Sequence, residues 1–259
     1  MTVNDVPAGV IDVVNDANQD VVIDVRGPDV LNISGNVDTP KDPDAVMPDW
    51  IELIVTAANL GMMCGAARPA WSSRAAVTRK TFDPTASHMQ WVVALEQVDA
   101  GVFLIILTVL DARQLDSVSL WTLNAPVDAP RIEVSALAYP GHDRNAPFEI
   151  RRETPLRTTR DRMLQIVFTA PPADEVRERV AAAFDVWGRL LILGGYSPIG
   201  RHPALVHTLP DFAYWSDEVT FVQPFEEFFE SDETCFNAMI SWASRLHHEG
   251  VAVRSITIA

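Results

Sequence analysis

Residues 163–193 have the sequence MLQIVFTAPPADEVRERVAAAFDVWGRLLIL, which contains the clearest pattern of the chain. Residues 163–168 form an apolar run with β-branched and aromatic side chains, which predicts a strand. Residues 174–193 place their large apolar side chains at helical spacing, and two glycines follow, as is typical of a helix C-terminus. The helical stripe consists of Val176, Val180, Phe184, Trp187 and Leu191.

The rest of the second half continues this alternation of strands and helices. We expect a short strand at 205–209, a strand with a clearer pattern at 218–229, a helix that ends at His248 and a final strand at 251–258. The resulting order, β-α-β-β-α-β, is that of a ferredoxin-like sandwich. The second half is therefore expected to be one ferredoxin-like unit.

The first half is predicted to follow the same order with two additions. The β-branched runs 10–14 and 21–25 flank an Asn- and Asp-rich connection, which predicts an N-terminal hairpin. An inserted strand is predicted at 102–110, paired with the strand 90–98 across a turn that contains Gly101. The remaining predicted elements are strands at 31–34, 77–82 and 131–139 and helices at 49–61 and 111–124.

Identities between the halves indicate an internal duplication. At a constant offset of 133, Leu31 matches Leu164, Ile33 matches Ile166, Leu60 matches Leu193, Gly61 matches Gly194 and Arg68 matches Arg201. Trp121 and Trp242 are each expected on the helix before the last strand of a half. We therefore predict an α+β protein with two tandem ferredoxin-like halves, 1–140 and 163–259, joined by an Arg- and Pro-containing linker at 141–162. The alternative is a single continuous α+β sheet.

The composition excludes several classes of protein. Of 259 residues, 35 are acidic and 20 are Lys or Arg, which gives a formal net charge of −15 and a pI of about 4.7. This charge disfavours a nucleic-acid partner, because phosphate binding needs a basic surface. The N-terminus lacks the basic and apolar regions of a secretory signal, and no apolar stretch approaches the roughly 20 residues of a membrane span. We therefore expect a cytoplasmic protein without membrane contact.

No motif identifies a catalytic chemistry. The two cysteines, Cys64 and Cys235, form no CxxC pair and are too few for a thiolate zinc site. The motifs HxH, HExxH and GxSxG are absent, and His88 and His207 are isolated in the sequence. We therefore expect no metal and no cofactor, while the sequence leaves open whether the protein is an enzyme.

A glycine-rich segment after the helix 174–193 is the candidate ligand site. A hydroxyl, a guanidinium and an imidazole close together can bind an anionic small molecule. The candidate residues are Tyr196, Ser197, Arg201 and His202, with Arg68 as the counterpart in the first half. The alternative is a helix C-terminus and a connecting loop that recur only because the fold recurs.

The densest acidic cluster is the candidate partner-binding surface. It consists of Glu226, Glu227, Glu230, Asp232 and Glu233, interleaved with Phe225, Phe228 and Phe229. Carboxylates beside aromatic side chains can attract a basic protein surface. The alternative is that the phenylalanines belong to the core while the acidic groups are solvated or cap the following helix.

Two functions follow from these candidates. The first is a non-catalytic acidic binding protein, of the inhibitor, immunity or regulatory type, that captures a basic protein. The alternative is a small-molecule-binding enzyme or sensor with a pocket between the two halves near Arg201 and His202. The sequence also leaves a homodimer open.

Overall fold

The structure is a computed structural model, and it describes the parts of the chain that form the elements below. The described residues are 10–11, 19–26, 50–63, 73–83, 85–86, 88–96, 98, 101–111, 117–122, 132–133, 146–153, 162–196, 209–210, 212–227 and 235–259. At 10–11, 19, 111, 117–122, 132–133, 209–210 and 226–227 only the backbone is described. Within these residues the chain is a mixed α+β protein with two main sheets and four helices, as predicted for the general class.

The first half contains an antiparallel four-stranded sheet, here called the first sheet. Its strand order is β3-β4-β2-β5. A separate two-stranded ladder pairs β1 with β6. The elements are β1 Val10–Ile11, β2 Gln19–Arg26, α1 Trp50–Asn59, β3 Arg74–Asp83, β4 His88–Glu96, α2 Val102–Asp111, β5 Ser117–Thr122 and β6 Ile132–Glu133.

The second half contains a six-stranded sheet, here called the second sheet. Its main path is β10-β11-β8-β12-β7, with β9 also paired to β11. All its pairs are antiparallel except β12 with β7, which is parallel. The elements are β7 Glu149–Arg152, β8 Arg162–Phe168, α3 Asp174–Ile192, β9 Leu209–Pro210, β10 Tyr214–Trp215, β11 Thr220–Glu227, α4 Cys235–His248 and β12 Val253–Ile258.

The predicted inserted strand at 102–110 is wrong, because this segment is the helix α2. All of the residues 101–110 are buried, so the run is apolar on every side and lacks the polar face that marks an amphipathic helix. A continuous apolar run of this kind does not distinguish a buried strand from a buried helix. The predicted helix at 111–124 is also wrong, since β5 occupies its centre and contains Trp121.

The predicted N-terminal hairpin is wrong in its pairing. β1 pairs with β6, whereas β2 lies between β4 and β5. Val21, Val22, Ile23 and Val25 are all buried, which is typical of a central strand covered on both faces. The predicted strand at 31–34 lies outside the described residues, so the matches of Leu31 with Leu164 and of Ile33 with Ile166 stay predictions.

Most predicted elements of the second half are confirmed. β8, α3, β11, α4 and β12 lie where the sequence pattern placed them, within a few residues at each end. In β8 the side chains of Leu164, Ile166 and Phe168 alternate toward the core, as a half-buried strand requires. One strand, β7, lies within the predicted linker and pairs with β12.

Most of the buried apolar side chains of both halves belong to one cluster. The helix α4 is buried on nearly its whole circumference, and α1 packs against α3. Trp187 forms the aromatic centre of the second half, at ring-centroid distances of 6.0 Å from Phe184, 5.4 Å from Phe225 and 5.7 Å from Phe236. The helices are thereby fixed against their sheets, and their exposed flanks form the surfaces described next.

Candidate functional site

The predicted ligand loop is described only at its first residue. Tyr196 follows the end of α3, has a positive φ of 68°, and is fully buried in the core cluster. Its ring therefore packs in the interior. The other four predicted ligand residues, Ser197, Arg201, His202 and Arg68, lie outside the described residues, so their place in a site stays a prediction.

The predicted acidic surface is described only at the end of β11. Glu226 and Glu227 belong to this strand, where Glu227 pairs with Leu209 of β9, and only their backbone is described. Glu230, Asp232 and Glu233 lie outside the described residues. Phe225 is buried in the core, which agrees with the alternative that the aromatic residues of this segment are structural.

An apolar cleft of about 420 Å³ opens between α3 and the β10–β11 hairpin of the second half. Its helix wall is formed by Ala181, Phe184, Gly188 and Ile192, one stripe along α3. Its strand wall is formed by Trp215, Phe221 and Gln223, with Phe212 at the mouth. We call this feature the α3 cleft.

Small residues on the helix explain why the α3 cleft is open. Ala181 and Gly188 project little or nothing toward the strands, so the rings of Phe184 and Phe221 form the floor. These rings meet edge to face at 4.8 Å and are buried. At the mouth, Phe212 is 90% exposed and Ile192 is 39% exposed. Exposed large apolar side chains beside a concave apolar surface are a common mark of a binding site.

Trp215 is fixed in the cleft wall by an arginine. The Arg177 guanidinium lies 4.2 Å from the centroid of the Trp215 ring, a cation–π contact. The same guanidinium donates hydrogen bonds to the backbone oxygens of Glu218, at 2.8 Å, and Pro172, at 3.3 Å. Arg177 therefore holds the turn between β10 and β11 against the start of α3.

Exposed carboxylates lie on both elements that form the α3 cleft. Glu178 and Asp185 are exposed on the cleft stripe of α3, and Asp217 and Glu218 are exposed in the facing turn. A hydrogen bond from the Val219 backbone N–H, at 2.7 Å, is the main cause that lowers the pKa of Asp217, so this group stays ionised in mildly acidic solution. The only described ion pair on the border joins Asp185 to Arg189, at 3.0 Å.

A second polar cluster lies on the first sheet, on the face opposite to α1. The carboxylate of Asp24 accepts hydrogen bonds from His88 at 2.7 Å and from Gln90 at 3.0 Å. The side chains of Asp24 and His88 are only 14% and 24% exposed, and Arg26 lies 3.8 Å from the same carboxylate. Asp24 therefore orients the His88 ring, although His88 appears isolated in the sequence.

Sequence reasoning missed both the His88 pair and the α3 cleft. Asp24 and His88 are 64 residues apart and meet because β2 and β4 pair in antiparallel register. The cleft depends on Phe212 and Trp215, which stand in a segment without a periodic pattern. The one usable signal was the pair of small residues, Ala181 and Gly188, at a spacing of two helical turns within an otherwise large apolar stripe.

Among the described residues no group of three or more His, Cys, Asp or Glu side chains is arranged to hold a metal ion. None of the described helices combines the length and apolar character needed to cross a bilayer.

Comparison with protein-family models, with curated proteins and with solved structures finds no match for the chain.

Proposed function

We propose that this protein is a non-catalytic binding protein, of the inhibitor, immunity or regulatory type, that captures a basic protein partner with its second half. The observation that carries the proposal is an open apolar cleft, the α3 cleft, between two elements that also carry exposed carboxylates. These are Glu178 and Asp185 on α3 and Asp217 and Glu218 in the β10–β11 turn. Apolar contacts give a protein interface its affinity, and charges around them give it orientation and speed.

The charge of the whole chain supports the same proposal. A net charge of −15 attracts a basic protein from beyond contact distance and accelerates its association. Glu226 and Glu227 end the strand β11, whose earlier residues Phe221 and Gln223 line the cleft. Two residues of the predicted acidic surface therefore share a strand with the cleft, and a single partner could contact both.

We further propose that both halves are copies of one ferredoxin-like unit. Each half contains the order β-α-β-β-α-β, and each sheet places the four strands of this unit in the order second, third, first, fourth. The helices α1 and α3 also end in the same way. Gly61 and Gly194, 133 residues apart, both have φ of 88°, and the backbone hydrogen bonds around them are equivalent. These likenesses support a duplication, in which the predicted matches Leu60 with Leu193 and Gly61 with Gly194 are equivalent positions.

The proposed function is tested by identifying the captured partner and by measuring the rate of its association. The tagged protein is purified at low salt from the lysate of its own host, and bound species are identified by native mass spectrometry. Association of the recovered partner is then measured at low and high salt. The comparison uses the full chain and the triple variant Glu226→Lys, Glu227→Lys, Glu230→Lys.

We expect a stoichiometric protein of basic pI, with an association rate that the triple variant lowers at least about tenfold at low salt and little at high salt. The matched control reverses three exposed acidic residues of the first half, Asp20, Glu52 and Glu96, and should lower the rate less. A partner of acidic pI, or equal effects of both triple variants, would contradict the proposal. A bound small molecule in place of a protein would favour the enzyme or sensor alternative near Arg201 and His202.

A further inference from the structure

We infer that the α3 cleft is the anchor site of this interaction. It binds one bulky aromatic or branched aliphatic side chain of the partner, and lysine or arginine residues flank that side chain in the partner's sequence. This inference rests on the proposed function for the charge of the partner, while the cleft itself is a feature of the structure.

The size and the lining of the cleft accommodate one bulky apolar side chain. Its volume of about 420 Å³ lies near the lower end of the range for ligand pockets, about 300–1,000 Å³. The rings of Phe184 and Phe221 on the floor and of Trp215 in the wall present aromatic edges and faces. Such a lining suits an inserted aromatic or branched aliphatic side chain. A long cofactor would extend beyond these walls into solvent.

The mouth of the cleft indicates that the occupant belongs to a larger surface. Phe212 and Ile192 are exposed on two sides of the opening. The surface around an inserted side chain would therefore make apolar contacts with these two residues. The Asp185–Arg189 ion pair lies at the edge of this apolar area. A buried apolar anchor inside a polar rim is the usual arrangement of a protein–protein hot spot.

The charges at the rim indicate which residues flank the anchor. Glu178 lies one helical turn before Ala181 on the cleft stripe, and Asp217 and Glu218 lie on the opposite side. The two nearby arginines are already engaged, Arg177 with Trp215 and Arg189 with Asp185. Basic residues on both sides of the anchor would therefore meet carboxylates, whereas acidic residues would be repelled.

The experiment uses a random peptide library displayed on phage, selected against the full chain at low salt. We expect enriched peptides with one Trp, Phe, Leu or Ile next to Lys or Arg. The consensus peptide is then synthesised, and its affinity is measured for two variants that differ by one position, Ala181→Trp and Ala182→Trp. Both alanines are exposed on α3, but only Ala181 lines the cleft.

We expect Ala181→Trp to fill the cleft and weaken binding of the consensus peptide at least about tenfold, while Ala182→Trp leaves it unchanged. Phe212→Ala should also weaken binding more than Tyr214→Ala, because Phe212 lies at the mouth and Tyr214 does not line the cleft. Equal melting temperatures of the two tryptophan variants establish that the difference lies in binding.

The outcomes separate the inference from the proposed function. If basic peptides without an apolar anchor are enriched and bind both tryptophan variants equally, the inference is wrong and the acidic binding function stands. If uncharged apolar peptides bind in the cleft independently of salt, the cleft is a binding site but the basic partner is wrong. If no sequence is enriched, the inference is overturned.

Discussion

Glu249 is the residue at which three helices meet. It follows α4 and accepts hydrogen bonds from Arg179 of α3 and from Arg245 of α4, the latter at 2.9 Å. Arg245 also donates to the backbone oxygen of Asn59, the last residue of α1. Partial burial favours a higher pKa for Glu249, but the hydrogen bonds and charges of the two arginines outweigh it, so the pKa lies below the ordinary value of 4.5.

This lowered pKa predicts a pH-dependent contribution to stability. The charged form of Glu249 is favoured by folding, so its contribution is fully present above pH 4.5 and is lost as the pH falls through the folded-state pKa. At neutral pH we expect Glu249→Gln to lower the free energy of unfolding by about 0.5–1 kcal/mol, since water screens half-exposed ion pairs. The two proteins should converge as the pH is lowered below 4.5, as measured by urea unfolding.

The control for this prediction is Glu178→Gln, an exposed carboxylate on α3 that makes no described ion pair. It should differ little from the wild type at any pH. A deficit of Glu249→Gln that persists unchanged into acid would mean that the side chain acts by packing and not by its charge.

Side-chain contacts such as those of Glu249 are only partly predictable from the sequence. The spacing of charges shows that Arg245 and Glu249 can pair within one helical turn, because residues four apart share a face. It does not show that Arg179 joins them, since that contact depends on how α3 and α4 pack. The same holds for Asp24 with His88, which only the register of the first sheet brings together.

The elements of this protein are ended by glycine at three of the four described helices. Gly61, Gly194 and Gly250 have φ of 88°, 88° and 98°, in the left-handed region that other residues avoid. After α1, Met62 N–H bonds to Ala57 O at 3.0 Å, and after α3 Gly195 N–H bonds to Leu190 O at 2.8 Å, which is the Schellman arrangement. A Cβ at Gly195 would lie only 2.8 Å from that same oxygen, so the second glycine is needed for close approach.

These helix ends predict a graded effect of substitution. Gly61→Ala and Gly194→Ala should each lower the free energy of unfolding by about 1–2 kcal/mol, because a Cβ is crowded in the left-handed conformation. Gly250→Ala measures that backbone cost alone, since a Cβ there meets nothing within 4 Å. Gly61→Asn should cost less than Gly61→Ala, because Asn tolerates this conformation better. Equal stabilities of the Ala and Asn variants in urea would contradict this explanation.

The elements also show where periodicity is informative. α3 is amphipathic, and its apolar stripe predicts a helix. α2 is apolar on all sides, and its continuous apolar run predicts a strand. β5 alternates Ser and apolar residues, but its short length allowed a helical interpretation. The apolar stripe of α3 therefore identifies a helix, whereas burial of α2 on all sides removes the pattern that distinguishes a helix from a strand.

The molecule as a whole is held together by one core that crosses the two halves. Apolar side chains from both halves belong to the same buried cluster, and α1 of the first half packs against α3 of the second. The hydrogen bond from Arg245 to the α1 terminus is a further link between the halves. Two halves that share one core are expected to depend on each other for stability.

We therefore predict a single unfolding transition for the full chain. Leu53→Ala in the first half and Leu190→Ala in the second remove buried side chains and should each cost about 2–5 kcal/mol. Both should shift the same midpoint, with near-ultraviolet and far-ultraviolet circular dichroism coinciding and a calorimetric enthalpy equal to the van't Hoff value. Two separate transitions, each shifted by only one variant, would show that the halves are independent domains with the predicted boundaries.

The strand order of the first sheet also has a consequence for the speed of folding. β3 and β4 are joined by only four residues. Their neighbour β2 precedes α1 in the chain and pairs with β4 at sequence separations of 62 to 76 residues. A hairpin of this kind forms in about 1–10 μs. Pairing of β2 with β4 closes a much longer loop, and the chain loses that conformational entropy before the stabilising contacts form. We therefore expect the β3–β4 hairpin to be an early kinetic intermediate and the docking of β2 to be the slow step, sensitive to the length of the 27–49 connection.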